Sequence, residues 1–131
     1  MSELDVLDRI RELAPLLRER AVAAEEARRL PDESVKELKE TGLVRLLQPK
    51  RFGGFEADPR LFYESLFTVA AACGSTGWVS GVVGVHPWQI ALFPDQVQHE
   101  VWDDDPDTWV SSSYMPGGRM TPAEGGYVLN G

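Results

Sequence analysis

The sequence predicts a mainly α-helical chain, a helical N-terminal domain over residues 1–104 followed by the first strands of a β domain over residues 105–131. Three observations carry this. Up to Trp102 the apolar residues recur every three or four positions, the period that places them on one helical face. The acidic run Asp103-Asp104-Asp105-Pro106-Asp107 then interrupts the chain. Beyond it the period falls towards two, with turn signals at Pro116-Gly117-Gly118 and Glu124-Gly125-Gly126.

Ile10, Leu13, Leu17, Ala21 and Ala24 predict an amphipathic helix from Ser2 to about Arg29, bent or broken at Pro15. Leu30-Pro31 stops it. Asp32 is placed to cap a second, short helix through Val35 and Leu38 that ends at Gly42. Leu43 to Leu47 is a short apolar connector, and QPKRFGGFEAD from Gln48 to Asp58 is a loop, because Pro49 and the Gly53-Gly54 pair disfavour helix and strand alike. Pro59 opens a third helix that faces Leu61, Phe62, Leu66, Val69, Ala70 and Cys73 inward. A long apolar helix follows from the Gly74-Ser75-Thr76-Gly77 start, bent near His86-Pro87-Trp88, and Pro94 begins a last short one to Trp102. Trp109 to Met115, Arg119 to Thr121 and Tyr127 to Leu129 read as strands.

Composition narrows the partners. With 43% hydrophobic residues in 131, the chain is globular. Its formal net charge of -8 repels phosphate backbones, so nucleic acid is not an expected partner. No apolar run approaches the ~20 residues of a membrane span, so no membrane partner is expected. The single cysteine, Cys73, excludes an internal disulfide framework, fits the cytoplasm, and reads as a small core residue. The acidic run lacks the alternating ligands and glycine of a calcium loop and reads as a solvated boundary. No metal site is expected.

His86 is the polar group in the long apolar helix that has acid/base capability. An imidazole titrating near neutrality can accept or share a proton; its plain alternative is a core histidine bonded to a carbonyl freed by Pro87. Ser111, Ser112 and Ser113 alternate sides along an extended segment, so either the outer two or the middle one would face a site. Ser75 and Thr76 stand at a helix start, where capping is the simplest role.

Leu30-Pro31 with Leu43, PKRFGG at Pro49 to Gly54, Ser75-Thr76-Gly77-Trp78 and GGYVLNG at Gly125 to Gly131 follow one another with characteristic spacing. In that order they resemble the amino-terminal part of the acyl-CoA dehydrogenase superfamily. Where the dehydrogenases typically set a Thr-Glu-Pro strand against the flavin, this chain reads VSSSYMP from Val110 to Pro116, after a helix with His86-Pro87-Trp88. Both features resemble the flavin-dependent aromatic hydroxylases of this fold, the oxygenase components of two-component monooxygenases. Among these the likeness is to oxygenases acting on a phenolic 3-hydroxy-9,10-seco-steroid in steroid catabolism.

The resemblance implies that a separate reductase supplies reduced flavin, FMNH2 or FADH2, by flavin transfer. It implies that O2 adds at flavin C4a and that the hydroperoxide hydroxylates a phenolic small molecule ortho to its oxygen. His86 would then take the phenolic proton and Ser112 hydrogen-bond the substrate or peroxide. Ser111 and Ser113 would contact the flavin, and Trp78 and Trp88, with Trp109, would wall the ring. Further catalytic groups would lie past Gly131 in a full-length tetramer. The 131 residues alone are expected to bind flavin weakly and to be inactive. Two alternatives stand beside this: an acyl-CoA dehydrogenase or related flavin oxidoreductase, and a non-enzymatic helical module offering its hairpin to a partner's sheet.

Overall fold

Ser2 starts the first helix by a reciprocal cap: its hydroxyl accepts the Asp5 N–H at 3.4 Å, and Asp5 Oδ2 accepts the Ser2 N–H at 2.7 Å. Those bonds, the one from the Ser2 backbone foremost, hold the Asp5 carboxyl below its ordinary range. From there the computed structural model, which describes residues 2–131, gives six helices and one hairpin. They are α1 (Glu3–Glu19), α2 (Ala21–Ala27), α3 (Asp32–Thr41), α4 (Pro59–Ala72), α5 (Gly74–Ile90), α6 (Asp95–Trp102), β1 (Arg119–Ala123) and β2 (Gly126–Asn130). Short 3-10 turns at Leu43–Arg45 and Lys50–Phe52 fill the connection between α3 and α4. Among the described residues no helix is long and apolar enough to cross a membrane.

The predicted first helix is two helices, and its break is not at Pro15. α1 runs through that proline, and the break falls at Arg20. The Arg20 guanidinium bonds Glu37 at 2.5 Å and Ser34 at 3.2 Å, and meets Glu33 at 3.2 Å, tying the joint to α3. A tertiary anchor therefore sets the break, which helical periodicity cannot show. Asp32 is the first residue of α3 and Pro31 its cap, so the expected Asp32 cap does not form. The helix does end at Gly42, whose φ of 85° is the left-handed value a C-terminal glycine supplies.

α4 packs against both α1 and α5. Val6, Ile10, Leu13 and Leu17 of α1, Leu38 of α3, Leu43 and Leu46 of the connector, and Phe62, Val69, Ala72 and Cys73 form one core. Each large side chain there stabilises the fold by about 1.5–3 kcal/mol of apolar burial. On α4 the buried set differs from the expected one: Ala70 is exposed and Ser65 is buried. α5 nevertheless comes close to α4. A Cβ on Gly77 would lie 2.6 Å from Ala70 Cα, and one on Gly84 would lie 2.5 Å from Phe62 Cε2. A second, smaller cluster joins Phe52, Ile90 and Trp102, with Val101 and Val110 against it.

Residues 109–115 form no strand, contrary to the alternation in the sequence. A strand exists through its ladder, and the one ladder among the described residues joins β1 to β2, with Met120 opposite Leu129 and Thr121 opposite Val128. Gly125, at φ 79°, turns that hairpin. The two strands that do form lie where the sequence puts them.

Candidate active site

α5 is apolar nearly all round, and its buried face carries Thr76, Gly77, Ser80, Gly84, His86, Pro87 and Ile90. Its exterior is not buried as expected: Trp78 is 77% and Trp88 53% exposed. Pro87 sits inside the helix and brings no N–H, so the carbonyl one turn earlier, on Val83, loses its helical donor. His86 is 2% exposed, and neither Nδ1 nor Nε2 has a hydrogen-bond partner. The plain expectation, a core histidine satisfied by the freed carbonyl, is therefore not what forms. Buried imidazoles without partners are uncommon, and each unpaired polar atom costs on the order of 1–3 kcal/mol.

Ser111, Ser112 and Ser113 lie exposed on an irregular segment. The residues before them are fixed. Trp109 packs on the main core with the Lys39 ammonium 5.3 Å from its ring centre, and Val110 packs on the Phe52–Ile90–Trp102 cluster. Successive residues thus face different clusters, as in an extended path. Ile90 lies one helical turn after His86 on α5.

Trp88 lines two clefts, one of about 370 Å³ with Leu47, Pro49, Arg51, Glu56, Ala91 and Gln98, the other of about 270 Å³ with Leu47, Pro59, Tyr63 and Val85. Trp78 is not brought to this end of the helix. It borders a cleft of about 500 Å³ with Arg28, Arg29, Gly74 and Ser75, eight residues and roughly 12 Å along the axis from His86. Ser75 and Thr76 do not cap α5; Cys73 occupies the cap position and no side chain bonds there. Cys73 itself is buried. His99 is exposed on α6, its ring between Asp103 at 2.9 Å and Asp95 at 3.4 Å and edge-on to Phe52.

Gln48 and Arg45 also stand at this end of the helices, and neither is among the residues the sequence singles out. Gln48 is buried, and its amide donates to the carbonyls of Phe52 at 2.9 Å and Pro106 at 3.0 Å. Arg45 reaches Asp107 at 3.3 Å. No sequence signal marks either, because their partners are set by the fold and one lies 58 positions away.

The family described as acyl-CoA dehydrogenase, N-terminal domain, matches residues 5–102. The chain belongs to this family. Within it, the chain is 53% identical over 125 residues to the flavin-dependent monooxygenase oxygenase subunit HsaA of Rhodococcus jostii, covering 95% of this chain and 33% of that protein. It is 42% identical over 131 residues to the oxygenase component of p-hydroxyphenylacetate 3-hydroxylase of Acinetobacter baumannii, covering 100% of this chain and 31% of that one. The crystal structure of the HsaA monooxygenase from M. tuberculosis superposes with a TM-score of 0.93 at 50% identity, covering 100% of this chain and 36% of that one. The chain thus spans about a third of the length of the relatives it matches.

Proposed function

We propose that this chain is the helical N-terminal portion of the oxygenase component of a two-component flavin-dependent monooxygenase that hydroxylates a phenolic ring, a seco-steroid phenol being the substrate class we favour. The observation that carries the reading is the buried, unpartnered imidazole of His86. Such a group is open to a partner brought by solvent, by a ligand or by the rest of the protein, and we read the ligand as the partner of His86. One relative is named a flavin-dependent monooxygenase oxygenase subunit and another the oxygenase component of a p-hydroxyphenylacetate 3-hydroxylase, which supports the hydroxylase reading.

Reduced FMN or FAD, delivered by a separate reductase, would supply with O2 the electrophilic hydroxyl that the phenol receives. His86 would accept the phenolic proton, raising the electron density of the ring where the hydroxyl enters. Ser112 follows Val110 by two residues, so a path that stayed extended past Val110 would turn it to the side of the Ile90 cluster, next to the His86 turn of α5. That supports Ser112 as the hydroxyl that orients the substrate. Ser111 and Ser113 would face the opposite side, towards the flavin. Trp88, which borders clefts with Leu47 at this end of α5, would wall the ring and keep water from the reacting atoms.

The test uses the full-length protein with a flavin reductase, NADH and p-hydroxyphenylacetate or a phenolic steroid under 18O2. An ortho-hydroxylated product carrying one 18O atom is the expected result, lost in His86→Ala. Anaerobic bleaching of a bound flavin by an acyl-CoA, with no oxygenated product, would replace this reading with a dehydrogenase.

A further inference from the structure

We propose that Gln48 is a positioning residue: its buried amide pins the chain where it leaves the helices, and so sets where the Ser111–Ser113 segment lies relative to His86. This rests on the functional reading above, which gives those two places their meaning.

Gln48 is 1% exposed and both bonds of its amide nitrogen go to backbone carbonyls, Phe52 within its own loop and Pro106 after α6. Its own backbone is locked in turn. Its N–H donates to Arg45 at 3.3 Å and its carbonyl accepts the Glu56 N–H at 2.9 Å. Gly54 folds so closely over it that a Cβ there would stand 2.1 Å from the Gln48 carbonyl oxygen. The glycine of the FGG motif is thus required by contact with Gln48, and no ligand is needed to explain it.

A second strut runs parallel to the first. Arg45 pairs with Asp107 at 3.3 Å and donates to the Gly53 carbonyl, so the same loop grips two consecutive residues, Pro106 and Asp107. The Asp105 turn, whose carboxylate accepts the Asp107 N–H at 2.9 Å, stiffens the gripped segment. After Trp109 and Val110 reach their clusters, no side-chain hydrogen bond of Ser111, Ser112 or Ser113 restrains the chain, and all three are exposed. The direction in which the serines leave is therefore fixed upstream. Productive geometry tolerates about 0.5 Å of error in a catalytic group, and a misplacement of about 1 Å costs on the order of a hundredfold in rate.

Gln48→Met keeps the volume of the side chain and removes both donors. The first measurement needs neither flavin nor phenol. A nitroxide is attached at Ser113→Cys in a Cys73→Ala background, and its relaxation effect on α5 amides is read by NMR. With Gln48 present, broadening should concentrate on one part of α5. In Gln48→Met it should spread or fade at least twofold while the α4 and α5 amide shifts stay in place. If Gln48→Met does not fold, Asp107→Ala, which removes the acceptor of the second strut at a half-exposed site, decides the matter and should move the pattern in the same direction. An unchanged broadening pattern in a folded variant overturns the proposal.

The second measurement follows O2 in the full-length protein with reduced FMN and p-hydroxyphenylacetate. Gln48→Met should divert it from hydroxylated product to H2O2, lowering the product to peroxide ratio about tenfold, with the KM for the phenol within about twofold. A loosened segment with an unaltered ratio overturns the positioning role. Absence of product from the unmodified protein counts against the monooxygenase reading, and the nitroxide pattern still decides whether Gln48 sets the segment.

Discussion

At His86 the helical core carries a polar group that its own packing does not satisfy. The imidazole is buried with both nitrogens unpaired, so replacing it with an apolar side chain of similar size removes a penalty and adds apolar burial. We expect His86→Leu to raise the stability of the 131-residue chain by about 1 kcal/mol, read as a higher urea midpoint at unchanged slope, while abolishing hydroxylation in the full-length protein. A lower midpoint would mean that the imidazole is satisfied in solution. Asp58 is the opposite case, a titratable group fully employed in structure. Its carboxylate receives the Arg60 guanidinium and the Arg60 N–H at the start of α4, and in that order these bonds lower its pKa from 3.8 to about 2. A depressed carboxyl contributes stability above its unfolded value and loses it as pH falls through the folded one. Exchange of the Arg60 and Leu61 amides should therefore speed up as pH falls from 3.8 to about 2, after correction for intrinsic rates, and Asp58→Asn should flatten that dependence.

Among the elements, the α4–α5 hairpin carries His86, and small residues set its spacing. An alanine at 77 would meet the Ala70 backbone, whereas one at 81 would find only Leu66 Cδ1 at 3.7 Å, an ordinary contact. Alanine gains about 1 kcal/mol of helix propensity at either position, and overpacking costs about 1–3 kcal/mol where the backbone must move. Gly77→Ala should thus destabilise by up to about 2 kcal/mol and Gly81→Ala stabilise by up to about 1, in one urea series. Equal effects would show that the helices separate freely. The helices themselves were legible because burial repeats along them, and the family resemblance covered all of them. Their joints were not: the α1–α2 break belongs to Arg20 and its partners on α3. The Trp109–Met115 alternation was real, yet without a neighbouring strand it yields no ladder. His86 stood out in the sequence as a polar residue in an apolar helix. Gln48 looked like any loop glutamine, since its meaning lies in a carbonyl 58 residues away.

On the scale of the whole chain, a helical part with a continuous core is followed, past the residues held by Gln48 and Arg45, by a hairpin without one. The helical part has a continuous core, whereas every residue of β1 and β2 is exposed, including Met120, Tyr127, Val128 and Leu129. A two-stranded hairpin without a face to cover is marginal in water, and its backbone bonds open without help from the core. The 131-residue chain should therefore show nearly unprotected amides over residues 119–130. The α4 and α5 amides should be slowed to the limit set by global unfolding. In a protein as long as the relatives, of which this chain spans about a third, the same hairpin amides should slow by at least a hundredfold as further strands cover Met120 and Leu129. Slow exchange in the short chain would instead mean that the hairpin is stable alone. The low flavin affinity expected of these 131 residues would then need a cause other than an unsupported β region.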